Sequence, residues 1–148
     1  MTQSNTIGQI KKLFISDRDT KQRNIKESIY VDKNGILNDK FYNTEVDRSV
    51  LITSLHAYEL MKEKDIDAKY GQLGENILVN FNPYDLQEGT QLLIGDSILE
   101  ITIECTICNL LTKINNKVPK LLKKDRGVFA KVIQEGTIKI GDSVTLTN

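Results

Sequence analysis

Apolar residues along this chain come in short bursts broken by polar clusters, a spacing that favours strands over long helices. From Thr6 to Ile15 and again from Ile25 to Val31, stretches rich in Ile, Val and aromatics lie on either side of the polar run SDRDTKQRN. Asp32-Lys33-Asn34-Gly35 breaks the second stretch, and Asn-Gly is expected to supply the positive φ angles of a tight turn before Ile36-Leu37. Between Thr53 and Lys64 the spacing changes: Leu55, Tyr58, Leu60 and Met61 recur at helical intervals, and Thr53 or Ser54 is suited to cap the first turn. A helix is predicted there. Ile77, Val79 and Phe81 then alternate along a strand that Asn82-Pro83 ends, because proline has no N–H for a ladder. Strand character resumes at Thr90.

Glu88–Leu99, EGTQLLIGDSIL, is echoed by Glu135–Leu146, EGTIKIGDSVTL, with one residue deleted. Both read as turn, strand, Gly-Asp turn, strand, and shared turn chemistry explains the echo without duplication. Within Ser97–Ile114, Leu99, Ile101, Ile103 and Cys105 are expected on one face of a strand, with Glu100, Thr102 and Glu104 on the other. Ile107, Leu110, Leu111 and Ile114 follow at helical spacing, so a short helix capped by Thr106 is predicted, and a further strand at Val128–Ile133. Many short strands with few helices favour a barrel or sandwich, and closure, which removes exposed edges, favours the barrel. The predicted fold is therefore mainly β, a barrel with a few short helices.

The 148 residues fit one domain spanning 1–148. Acidic and basic residues balance at 20 each, which leaves no net charge to hold a nucleic acid or an anionic membrane. No apolar run reaches membrane-spanning length, and MTQSNTIGQIKK lacks the apolar centre of a secretion signal, so a cytoplasmic location is expected. In that compartment Cys105 and Cys108 stay reduced unless they are reactive. Two cysteines and a distant His56 do not make a structural zinc site.

Cys108 falls in the first turn of the predicted short helix, where unpaired N–H groups and the helix dipole lower a thiol's pKa. It is the candidate reactive residue, while Cys105, in phase with the buried face, is either a small core residue or a second thiol. Cys105-Thr106-Ile107-Cys108 matches C-x-x-C, but the flanking β pattern is not the setting of dithiol exchange. Arg126-Gly127 ahead of a strand is suited to an anion: the guanidinium forks onto it and glycine admits close approach to the backbone. The neighbouring Lys123 and Lys124 read as a solvated turn. Leu73-Gly74-Glu75-Asn76 displays a carboxylate and an amide directly before a strand. His56 is assigned no role.

Several of these segments, in this order and spacing, resemble the MOSC family, the domain found at the C-terminus of molybdenum-cofactor sulfurases. Gly35–Phe41 resembles its G-I-x-G-D-x-H segment, Arg48–Ile52 its R-Q-V-S-L run, and Leu73–Ile77 its G-E-N-L motif. Ile94-Gly95-Asp96 through Ile103 is similar to the strand pair that leads to the family's cysteine, best matched by Cys108. Arg126–Ala130 and Ile140-Gly141-Asp142 resemble the R-G-[VI]-[YF]-A and late G-D signatures. Asn38 stands for a usual glycine, Phe41 for the usual histidine and Ser49 for the usual glutamine.

The resemblance implies a barrel that binds molybdenum cofactor, or carries sulfur for it, through a cysteine. Cys108, with Cys105 as the alternative, would be metal ligand or persulfide carrier. Asp39, Arg48, Glu75, Asn76, Arg126 and Gly127 are the implied cofactor contacts, with Arg126 suited to the cofactor's phosphate. The pyridoxal-phosphate desulfurase domain of the long sulfurases is not among these residues, so sulfur or cofactor is expected from a donor protein. Two other readings remain open: a stand-alone molybdoenzyme reducing N-hydroxylated compounds with a separate electron donor, and a non-catalytic interaction barrel.

Overall fold

Residues 5–20, 22–104 and 113–147 are described in the computed structural model of the protein. The long strand β1 (Thr6–Ser16) shows how the sheet closes on itself. Its first half pairs antiparallel with β11 (Ser143–Thr147), and from Ile10 to Leu13 it pairs antiparallel with β6 (Ile77–Val79). Between those two neighbours the sheet runs from β11 through β7 (Gln91–Ile94), β8 (Ser97–Glu104), β9 (Val128–Gln134) and β5 (Val50–Ser54) to β6. Seven strands thus form a closed barrel, as the strand spacing predicts. Ile10, Leu13, Ile52, Leu92, Leu99, Ile101, Val128 and Val144 fill its interior, each large aliphatic contributing roughly 1.5–3 kcal/mol by leaving water.

β5 and β6 run parallel, and parallel neighbours need a crossover. The helix α1 (Leu55–Glu63) supplies it. Ser54 caps this helix, its Oγ accepting from the Ala57 N–H at 3.3 Å. Ala57, Tyr58 and Met61 pack with Leu73, Leu78, Val118 and Leu122, where the one-turn helix α2 (Val118–Leu121) and the residue after it complete an outer apolar layer. Alternation predicts burial of Ile77 and Val79 alone; Leu78 is buried too, because α1 covers the outer face of the barrel there.

The stretch Ile25–Val31 divides at Glu27 into two strands. β2 (Arg23–Lys26) extends the barrel sheet along the end of β1, while β3 (Ser28–Asp32) joins β4 (Gly35–Ile36) and β10 (Gly136–Lys139) in a three-stranded sheet. Ile29, Val31, Ile36 and Ile138 pack that small sheet onto the barrel core. The β3–β4 hairpin forms as expected, but with Lys33-Asn34 as its loop. Positive φ falls on Gly35 (122°) and not on Asn34, whose N–H is instead held by Asp32 Oδ1 at 2.8 Å.

Two further expectations change. Gly95-Asp96 makes a true hairpin of β7 with β8, whereas Ile140-Gly141-Asp142 carries the chain from the small sheet into the barrel. Bonds from Ile140 N to Glu27 O (3.1 Å) and Gly141 N to Ile10 O (2.8 Å) fix that corner. Along β8, Leu99 and Ile101 face the core, but the register slips between Ile101 and Ile103. Ile103 therefore pairs with Phe129 rather than with a core-facing residue, because a bulge turns the alternation over. Cys105 and most of the helix expected after Thr106 lie outside the described residues, and so does Cys108.

Gly127 holds β9 against β5. Its φ is +133°, and a Cβ there would stand 2.4 Å from the Ile52 carbonyl oxygen. Gly89 has a comparable φ of +91° with no atom within 4 Å of an added Cβ. Gly127→Ala is expected to lower stability by about 3 kcal/mol and Gly89→Ala by about 1 kcal/mol, read from urea midpoints. Equal losses would contradict the backbone contact as the reason for Gly127.

Candidate functional site

One side of the barrel opens into a cleft of about 790 Å³. Its walls come from the end of β1 and start of β2, the segment 40–48 after the small hairpin, the loop 71–76 ahead of β6, Arg126 just before β9 and Phe129 within it. Loop ends converge here because β1, β5, β6 and β9 are neighbours in the ring. Among the described residues, the cations Arg23, Lys40, Arg48, Lys113 and Arg126 face a single carboxylate, Glu45, and Phe41, Leu51, Leu73, Ile114 and Phe129 supply apolar surface. Such a cleft is suited to a ligand with a flat apolar body and an anionic end.

Its floor rests on Asn76. The Asn76 backbone N–H donates to Leu51 O at 2.9 Å, and its side-chain Oδ1 accepts from Leu51 N at 3.0 Å. Its Nδ2 donates to Phe14 O and to Asp39 Oδ1, both at 3.3 Å. One buried amide therefore joins β5, β1 and the segment after the hairpin. Asp39, also buried, accepts from Ser16 N at 2.7 Å through Oδ1 and from Phe41 N at 3.2 Å through Oδ2. Asn38, in place of the family's glycine, adopts the left-handed conformation (φ 73°) that this turn requires and that asparagine tolerates.

The residues implied by the resemblance thus separate. Arg48, Asn76 and Arg126 line the cleft. Asp39 lies beneath it with its carboxylate engaged by backbone and amide donors, and Gly127 serves the strand contact described above. Glu75 points the other way, fully buried toward α1, where Oε2 accepts from Tyr58 Oη at 2.5 Å and from Gly71 N at 3.3 Å. Arg48 is half exposed, 3.6 Å from Glu45 and 5.7 Å from the Phe129 ring centroid. His56 sits at the surface, 3.7 Å from Asp125.

Sequence reasoning missed Arg23, Lys40 and Lys113. Arg23 is partly buried: Nη1 donates to Ser16 Oγ at 2.7 Å, Nη2 to the Glu75 carbonyl, and the guanidinium lies 5.5 Å from the Phe14 ring centroid. Burial pulls its pKa down, opposed by the Glu75 and Asp39 charges. The only available signal was an arginine at the edge of a polar run, which by itself reads as solvated surface.

Burial, then the charge of Glu75, pushes the Tyr58 hydroxyl far above the ordinary value of 10. A tyrosine with a raised folded-state pKa stabilises fully below 10, and its contribution fades as pH rises above that, since the unfolded chain alone releases the proton. Urea midpoints of the wild type are therefore expected to fall more between pH 8 and pH ~10.5 than those of Tyr58→Phe. At pH 8 that variant is expected to be less stable by about 1–2 kcal/mol, because Glu75 loses a donor and Gly71 N and Leu73 N lose an acceptor. An identical alkaline decline in both proteins would contradict the assignment.

The architecture has close counterparts among solved structures. The YuaD protein from Bacillus subtilis superposes with a TM-score of 0.80 at 15% identity, covering 94% of each chain. YiiM from Geobacillus stearothermophilus gives 0.75 at 16% identity over 96% of this chain and 76% of that one. YiiM from Escherichia coli gives 0.70 at 13% identity over 95% and 70%. At such identities the likeness is one of fold. No curated protein is a significant match to the sequence. The profile of the MOSC domain matches residues 37–145, the span that contains the 40–48 segment, Asn76, Arg126 and Phe129 of the cleft. With that match over most of its length, the chain belongs to the MOSC domain family, whose members are connected with molybdenum cofactor binding or metabolism.

Proposed function

We propose that the cleft receives molybdenum cofactor and that Cys108, with Cys105 as the alternative, is the metal ligand or the carrier of sulfur for it. The observation that carries this reading is the lining: among the described residues, five cations against one carboxylate, beside apolar surface from Leu51, Leu73 and Phe129. Arg126 would hold the phosphate, the planar pterin would lie against the apolar wall, and Arg48 would remain at the rim.

β8 ends at Glu104, whose register partner Val128 adjoins Phe129 of the cleft wall, and after the segment with the two thiols Lys113 and Ile114 line the cleft. When bound, the cofactor would supply a molybdenum centre for which a soft thiolate is a suitable ligand. The protein's own residues would hold the phosphate, shield the apolar face from water and present the thiol. Among the described residues no helix is long and apolar enough to cross a membrane, and a protein donor of sulfur or cofactor is part of the same proposal.

Protein purified from a cofactor-producing host is expected to contain near-stoichiometric molybdenum and pterin, retained by Cys105→Ala and lost by Cys108→Ala. Metal and pterin are read by mass spectrometry and by pterin fluorescence. Retention in both single variants would remove the thiols from the binding role, and absence from the wild type would overturn cofactor binding by the cleft.

A further inference from the structure

Resting on the reading of the cleft as a cofactor site, we infer that Arg23, which lies outside the family-matched residues 37–145, is a binding residue for a phosphate-type dianion at the cleft floor. The simpler account makes Arg23 a staple. β2 has no buried residue, and Ile25 is 68% exposed, so the bonds from Arg23 to Ser16 Oγ and the Glu75 carbonyl hold it to β1 and the loop 71–76. A staple needs donors, however, and does not need charge. A guanidinium with restricted access to water is costly unless an anion offsets it.

Among the described residues no carboxylate forms an ion pair with Arg23. The two carboxylates whose charges act on it most are held elsewhere: Asp39 takes Ser16 N, Asn76 Nδ2 and Phe41 N, and Glu75 Oε2 takes Tyr58 Oη and Gly71 N, while Glu75 Oε1 is buried without a hydrogen-bond partner among the described residues and makes no ion pair with Arg23. They offset part of the cost at a distance and do not close a fork on the guanidinium. Arg23 uses two of its N–H groups on neutral oxygens, and its flat face is fixed over Phe14. The result is a preoriented cation on the cleft floor with donors still to satisfy. A tetrahedral dianion, such as a phosphate monoester, is the ligand chemistry that matches a fixed guanidinium with further cations on the same cleft.

The test compares Arg23→Gln, which keeps a neutral donor, with Arg23→Lys, which keeps the charge, and Arg18→Gln, which removes a charge outside the cleft. Inorganic phosphate binding is followed by phosphorus NMR and by the thermal midpoint, and pterin content is measured on the same preparations. Arg23→Gln is expected to weaken phosphate binding about tenfold or more, Arg23→Lys to weaken it less than Arg23→Gln does, and Arg18→Gln to match the wild type. Wild-type affinity in folded Arg23→Gln, or no phosphate binding by the wild type, would overturn the inference. Phosphate binding that depends on Arg23 in a protein without pterin would uphold this anion site while overturning the cofactor reading; pterin retained by Arg23→Gln at wild-type phosphate affinity would do the reverse.

Discussion

The cleft depends on one buried amide. A closed barrel satisfies backbone groups strand by strand, but where β5, β6 and β1 meet the loop 71–76, the ladder alone does not reach every group. Asn76 completes it by offering both ends of its side chain as if they were backbone, accepting from Leu51 and donating to Phe14 and Asp39. Asp39 passes the constraint on to Ser16 and Phe41. The segment bearing Lys40 and Phe41 and the strand end bearing Ser16 and Arg23 are thereby fixed relative to each other. Buried polar networks of this kind are costly when half satisfied and specifying when complete.

From that constraint follows the distribution of charge. Asp39 and Glu75, the acids of the two motifs that flank the cleft, are turned into the structure, one onto backbone donors and the other onto Tyr58. What remains on the cleft surface is cationic, with Glu45 as the exception. The chain has equal numbers of acidic and basic residues, so a local positive field arises from arrangement alone. Apolar Leu51, Leu73 and Phe129 lie beside it because the strands and loops that carry them present residues on the outer side of the barrel, away from Ile52 and Ala130 in the core.

Much of the fold was legible in the sequence. Periodicity is a local signal, and it found β1, the β3–β4 hairpin, α1 with its Ser54 cap and the barrel class. It misread features set by distant partners. The second Gly-Asp turn looks like the first, yet Glu27 and Ile10 make it a corner between sheets. Ile103 looks in phase with Leu99, yet a bulge against β9 turns it to the side of Phe129. Leu78 is buried by a helix that its own alternation does not announce. Among candidate site residues, Arg48, Asn76 and Arg126 carry motifs and do line the cleft, while the motif acids Asp39 and Glu75 are engaged by hydrogen bonds beneath and behind it. Arg23 carries none: its role is defined by Ser16, Phe14 and the Glu75 carbonyl, contacts that only the folded chain assembles.

The most direct test of the cleft as the cofactor site is anomalous diffraction at the molybdenum absorption edge, from crystals of protein purified out of a cofactor-producing host. A single molybdenum peak inside the cleft bounded by Arg23, Arg126 and Phe129 is the expected result. A peak elsewhere on the barrel, or none within the cleft in crystals of protein that carries molybdenum, would contradict it.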